Sequence, residues 1–289
     1  MTPATPLDLF SHVPEIVTRL DQAAQHVETL ADGIRVHWRI WGSGPCLILL
    51  HGSGGSWLHW IANIEPLARS YRVVVPDIPG HGDSDAPPPP PTSEHLAALL
   101  STGAESVFGD GPISIVGFSM GASIAVDLAA SQDDRVSALV LVGCGKGFAV
   151  QSADYGPLVR WRRLSDPGAR LTAHRNNLET LMLRHAHLND DLALYAHASS
   201  VERGRLRYQR DADGGRFLDL MRNFKGRLAA IWGEFDAVMG PYRREREDFV
   251  RSLKPDADLI FIPNAGHWVQ YERALAFERA LGGILSPSL

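Results

Sequence analysis

The sequence predicts an α/β fold: a mostly parallel central sheet with helices on both faces, plus an inserted helical segment. Three observations predict it. Short, continuous apolar runs recur along the chain, as expected of strands buried on both faces. Helical stretches separate them, the pattern of βαβ units. The alternation fails between about 147 and 222, where the sequence reads mostly helical and offers no convincing strand.

Taken in order, residues 1–25 carry Val13, Ile16, Val17 and Leu20 at spacings of three and four. They predict a short N-terminal helical extension with one packing or interface face. IRVHWRIW (34–41) alternates and predicts a strand, closed by the turn signal Gly42-Ser43-Gly44-Pro45. CLILL (46–50) predicts a strand buried on both faces, and 71–75, 113–116, 136–142, 228–232 and 259–262 repeat the theme. Helices are expected at roughly 57–69, 94–108, 120–130, 241–254 and 270–285. Pro87–Pro91 can be neither helix nor central strand and reads as a stiff connector. The resulting organisation is an extension (1–25), a core (26–146 and 223–289) and a helical insertion (147–222).

At 289 residues with 45% apolar residues, the chain can bury a sizeable core. Its net charge of −5 argues against nucleic acid as a partner. The charge is uneven. Residues 146–227 hold 13 Arg and 2 Lys against 9 acidic residues, a net +6, leaving −11 for the rest. A solvated basic face accounts for this; attraction of anionic ligands is the sharper alternative. Two cysteines, Cys46 and Cys144, make neither a disulfide framework nor a four-thiolate zinc site. Cys144 reads as a small buried apolar residue. No apolar run reaches transmembrane length, and the first residues lack a signal-peptide pattern. A cytoplasmic location is expected, and a homo-oligomer is left open.

The strongest chemical signal is Gly117-Phe118-Ser119-Met120-Gly121, between the apolar run ISIV and the helical ASIAVDLAA. A G-x-S-x-G turn from strand to helix projects a serine hydroxyl above the sheet, with the helix start behind it. A glycine-rich structural turn is the alternative. Serine needs a base, and His267 in NAGHW (264–268) follows the last strand. Asp236 in WGEFD (232–236) follows the strand before it and can orient His267. His51-Gly52-Ser53-Gly54-Gly55-Ser56 follows CLILL, where a glycine-rich loop brings a backbone N–H to an oxyanion. The Ser53 and Met120 N–H groups are the expected pair. Neither phosphate-loop pattern, G-x-x-x-x-G-K-[ST] or G-x-G-x-x-G, matches this loop, and no metal-ligand spacing appears around His59, His95, His185 or His187. No cofactor and no metal are expected. Trp57, His59 and Trp60 read as core packing, with some of them lining the pocket mouth as the alternative, whereas Phe118 and Trp268, beside the nucleophile and base, are expected to contact substrate.

Together HGSGGS (51–56), PDIPGHGDSD (76–85), GFSMG, WGEFD and NAGHW resemble the α/β-hydrolase superfamily over about residues 30–289. The resemblance implies a serine hydrolase with Ser119, Asp236 and His267 in the order Ser…Asp…His. It implies an architectural role for His81, Asp83 and Asp85, and makes the 147–222 insertion a helical lid. Ser-Met-Gly (119–121) and Gly-His-Trp (266–268) are similar to the meta-cleavage-product C–C hydrolases. That subgroup has a lid arginine for the substrate carboxylate, which would fall near Ala196–His197, and an asparagine where this chain has Phe118. Arg184, Arg203 and Arg207 are candidate substitutes for the arginine. A serine at the elbow is unlike the aspartate of the related dehalogenases and epoxide hydrolases. The expected substrate is a small-molecule carbonyl compound, most simply a small or medium carboxylic ester. A C–C hydrolase and a non-catalytic receptor on the same fold are the alternatives.

Overall fold

The computed structural model describes residues 9–145, 156–184, 190–206, 214–240 and 242–286. Helix α1 (Glu15–Ala23) precedes strands β1 (Gln25–Ala31), β2 (Ile34–Trp41) and β3 (Cys46–Leu50). Helix α2 (Ile64–Leu67), strand β4 (Arg72–Pro76), helices α3 (Ser93–Ser101) and α4 (Ala104–Phe108), strand β5 (Ile113–Phe118), helix α5 (Met120–Gln132) and strand β6 (Val136–Val142) follow. Helices α6 (Pro167–Leu181), α7 (Asp191–Arg203) and α8 (Gly214–Asn223) lie between β6 and β7 (Arg227–Gly233). The chain continues through α9 (Arg243–Leu253), β8 (Asp258–Ile262), α10 (Val269–Glu272) and α11 (Ala274–Leu285).

The eight strands form one sheet in the order β1-β2-β4-β3-β5-β6-β7-β8. β1 and β2 pair antiparallel, as do β2 and β4; every later pairing is parallel. The strand period of two sends alternate side chains to opposite faces. In β3, Cys46, Ile48 and Leu50 join one apolar layer, and Leu47 and Leu49 the other. Both layers are closed by helices, which is why these strands read as unbroken apolar runs.

The elements depart from expectation in places: one strand is unexpected, and the helices over 57–69, 94–108 and 270–285 are each interrupted, the last between α10 and α11. β1 escapes sequence reading because its apolar Leu30 points to solvent, while its inward Thr29 accepts the indole N–H of Trp38 at 2.9 Å. The expected helix over 57–69 is a 3₁₀ turn (Trp57–Trp60) followed by α2, and that over 94–108 breaks at Gly103, whose φ is +80°. The N-terminal helix packs Val17 and Leu20 into the layer that holds Trp41, and Trp41 donates to Leu20 O at 2.8 Å.

Local caps start the inserted helices. Asp166 accepts from Ala169 N at 2.7 Å ahead of Pro167, and Asp190 accepts from Ala193 N at 2.8 Å. α7 is moored along its length. Asp190 accepts from Tyr271 Oη at 2.8 Å, Ser200 and Ser56 hydroxyls meet at 2.8 Å, and Arg203 pairs with Asp83. α8 packs differently: Phe217 and Met221 join the layer under α5, and Arg216 pairs with Asp127 on α5.

Candidate active site

The parallel strands place their following loops at one edge of the sheet, where such folds build their sites. β3 and β5 are neighbours, so the HGSGGS loop and the GFSMG turn lie side by side. Ser119 sits at φ +53°, a left-handed conformation that costs a non-glycine residue about 1–3 kcal/mol. The turn is held by Ser119 N donating to Val142 O at 2.8 Å and Ala122 N donating to Ser119 O at 3.0 Å. Both flanking glycines are required by close approach. A Cβ on Gly121 would lie 2.5 Å from His51 O, and one on Gly117 would lie 2.6 Å from Ala122 Cα.

His267 Nδ1 lies 2.9 Å from both carboxylate oxygens of Asp236. Asp236 is 2% exposed and accepts further bonds on Oδ1 from Val238 N at 2.8 Å and Met239 N at 3.1 Å. This geometry makes His267 Nδ1 the donor and leaves Nε2 as the basic nitrogen. Ser119, half-buried, and His267 line one cavity of about 730 Å³. Ser119 Oγ is not hydrogen-bonded to a described residue; such bonds are often long before substrate binds. Gly143, at φ +57°, leaves room for the His267 ring: a Cβ there would lie 2.9 Å from His267 Cε1.

Buried histidines hold the glycine-rich loop. Gly52 N donates to His59 Nδ1 at 3.1 Å, and Gly54 N donates to His81 Nε2 at 3.3 Å. Between them, Ser53 N–H donates to no described residue, and neither does Met120 N–H in the first turn of α5. His51 Nε2 accepts from Ile78 N at 2.9 Å and its Nδ1 donates to Gly52 O at 2.9 Å. Acceptor nitrogens require neutral rings. Burial first, and neighbouring histidines second, push His59 well below the usual imidazole range; burial, then His51, pushes His81 down to about 3.

The residues expected at the site divide. Ser53, Phe118, Ser119 and His267 line the cavity, and Asp236 stands behind His267. Phe118 packs on the His267 ring, centroids 4.9 Å apart. Met120 is 8% exposed, and its side chain joins the apolar layer with β3 and α5 residues. Trp268 corrects the expectation of a pocket residue: it is fully buried, stacks on Tyr271 at 4.4 Å and donates to His59 O at 2.8 Å. Of Trp57, His59 and Trp60, the two tryptophans are core and His59 takes the alternative, lining the cavity, as do His81 and His197. Of the candidate arginines, Arg184 stacks on Phe235 at 3.0 Å and Arg203 pairs with Asp83; neither lines the cavity. Arg207, His185 and His187 lie outside the described residues. Asp83 is paired with Arg39 and Arg203, and Asp85 with Arg35. No group of three or more potential metal ligands occurs among the described residues.

Residues 45–274 match the family model described as the alpha/beta hydrolase fold. The chain belongs to the α/β-hydrolase fold family. A 2-hydroxy-6-oxononadienedioate/2-hydroxy-6-oxononatrienedioate hydrolase from Burkholderia vietnamiensis is 30% identical over 276 residues, covering 89% of this chain and 93% of that protein. Among solved structures, a meta-cleavage product hydrolase from Pseudomonas fluorescens superposes with a TM-score of 0.72 at 23% identity, covering 89% and 96% of the two chains. A carboxylesterase from Bacillus subtilis superposes with a TM-score of 0.76 at 15% identity, covering 98% and 99%. Those two likenesses carry the fold alone. In this α/β-hydrolase-fold chain, Trp161, Asn177, Leu181, Met182, His197 and Val201 bring the helical insertion to the cavity wall. Sequence reading had no signal for these six, because a wall is assembled from residues far apart in the chain. No helix among the described residues is long and apolar enough to cross a membrane.

Proposed function

We propose that the protein is a serine hydrolase that cleaves a small or medium carboxylic ester through an acyl-enzyme. The observation that carries this reading is the Asp236–His267 pair at 2.9 Å, facing the same cavity as a serine held in left-handed geometry. Ser119 Oγ attacks the substrate carbonyl as His267 Nε2 takes its proton. The Ser53 and Met120 N–H groups bind the oxygen that becomes negative. Asp236 fixes the tautomer of His267 and stabilises the imidazolium. His267 then protonates the leaving alcohol, and a water activated by the same nitrogen releases the acid. The helical insertion is the lid over this site.

The test is a burst and steady-state assay with p-nitrophenyl esters of graded acyl length, beside fluorophosphonate labelling. Turnover and labelling should both vanish in Ser119→Ala, with a loss of at least about 10⁴-fold. A Ser119→Ala protein that keeps full hydrolysis overturns the reading.

A second reading, C–C bond hydrolysis beside a carbonyl, is favoured by the hydrolase relative acting on an oxo-dienedioate. Against it stand Phe118 before the nucleophile and the absence of an arginine around Ala196–His197, where a carboxylate-binding one is expected. Turnover of a dienoate ring-cleavage product with no ester turnover would reverse the order of the two.

A further inference from the structure

The cavity contains two imidazoles that the proposed mechanism does not use. His59 is 2% exposed and His197 9% exposed, and both line the cavity that holds Ser119. His59 Nδ1 accepts from Gly52 N–H at 3.1 Å, so the single proton of the neutral ring sits on Nε2. That N–H has no partner among the described residues. His197, on α7, has no hydrogen bond on either ring nitrogen among the described residues, and a neutral imidazole always carries one donor. Both rings line the cavity, so these donors are open to whatever fills it. Two such groups on one wall define a place for an acceptor that arrives with the ligand.

The charge of that acceptor follows from the surroundings. Burial, and then His174, push His197 down to about 3, and His59 is also pushed well down. Protonating either ring to meet an anion would set it among other histidines: His51, His81 and His267 also surround His59, and His174 lies 5.7 Å from His197. Glu202, bonded to His174 at 2.9 Å, is already paired with Arg170, so it is not free to stabilise a protonated ring on that wall. Arg162 is the one permanently charged side chain among the described residues lining the cavity. It is exposed, stacked on Trp161 at 4.3 Å, and donates to Gly204 O at 3.1 Å.

Resting on the serine-hydrolase reading above, we infer that His59 and His197 form a subsite for an uncharged oxygen of the substrate, a ketone, ether or second ester carbonyl, and that a free carboxylate is rejected there. The substrate class is thus an oxygenated neutral ester rather than a half-acid.

The test uses three p-nitrophenyl esters of equal acyl length: pentanoate, 4-oxopentanoate and the glutarate half-ester. Nitrophenolate release in the first turnover reads acylation even where deacylation is slow; rates are corrected for background hydrolysis. In the unmodified protein, kcat/KM for the 4-oxo ester should exceed that for pentanoate about tenfold, the worth of one neutral hydrogen bond. The half-acid should fall below pentanoate. His197→Leu should bring the 4-oxo to pentanoate ratio to near one through KM, and His197→Gln, which keeps a donor, should retain part of it. A preference for the half-acid, or an unchanged ratio in His197→Leu, overturns the subsite. If His197→Leu fails to fold, the order of the three esters in the unmodified protein and the His197→Gln ratio still decide. Fluorophosphonate labelling separates the two levels. Normal labelling of Ser119 with a flat ratio removes the subsite alone; no labelling and no release removes the serine reading and the subsite with it.

Discussion

Arg246 and Asp236 grip the same two residues from opposite ends. Asp236 Oδ1 accepts from the N–H groups of Val238 and Met239, at 2.8 and 3.1 Å. Arg246, 1% exposed on α9, donates to the carbonyls of Val238 and Met239, at 3.3 and 3.2 Å. Burial pulls its guanidinium pKa down, while Cys144 and Asp236 oppose that shift. A buried cation therefore stands behind the carboxylate that orients the proposed base.

Arg246→Met should lower kcat about tenfold or more, since the loop it holds bears on His267 through Asp236; Val238 of that loop also lines the cavity, so a smaller rise in KM should accompany the loss. Arg246→Lys, which keeps the charge but not the fork, should recover part of the loss. Steady-state kinetics with a p-nitrophenyl ester, with folding checked by circular dichroism, decides this. Equal loss in both variants with a collapsed melting transition would make the residue purely structural.

Gly143→Ala should damage catalysis more than stability. The position has φ +57°, which costs an L-residue about 1–2 kcal/mol, and the new methyl would press on His267 Cε1 at 2.9 Å. A drop in acylation rate of at least about tenfold is expected, with the fold retained, because a base displaced by a fraction of an ångström loses its alignment. Unchanged burst kinetics would contradict this.

Arg39 binds three carboxylates: Asp21 at 2.6 Å, Asp77 at 3.0 Å and Asp83 at 2.5 Å. Asp77 is fully buried and also accepts from Trp57 N at 2.9 Å and Asp83 N at 3.0 Å, tying together the loops after β3 and β4. Arg39→Met leaves the buried Asp77 charge without its cation, while the more exposed Asp21 and Asp83 keep water or Arg203, and should cost about 3–5 kcal/mol. Urea unfolding measures it; a loss below about 1 kcal/mol would show that water reaches the cluster.

The neutral histidines make stability depend on pH. His81 and His197 titrate near 3 in the folded protein, against about 6.5 when unfolded. Only the unfolded chain takes up these protons on mild acidification, so their contribution is complete above about pH 6.5 and is lost as pH falls toward 3. Between pH 6 and 5 the unfolding free energy should fall by up to about 1.4 kcal/mol per unit for each ring. His197→Leu should reduce that slope by about one proton. Urea midpoints at several pH values check both statements, and a flat profile over that window would contradict them.

Much of the fold was legible because its strands are buried on both faces: CLILL and VSALVLV carry apolar side chains to both layers, and no partner is needed to recognise them. β1 was not, since an edge strand with Leu30 outward and Thr29 inward has the hydropathy of a loop. The GFSMG turn was legible because its two glycines answer a steric need that is local in sequence. Asp236 and His267 were legible as residues following strands, but their distance of 2.9 Å depends on the pairing of β7 with β8.

The amino-acid order by itself determined the layered α/β plan, the strained serine and the helical insertion, because each follows from hydropathy period or from local sterics. The tertiary structure alone decided which way side chains near the site face. Trp268, adjacent to His267 in sequence, turns into the core, while His197, separated from Ser119 by most of the insertion, turns into the cavity. The physical reason is that burial on a wall built from several elements depends on how those elements pack against one another, and that packing has no period along the chain.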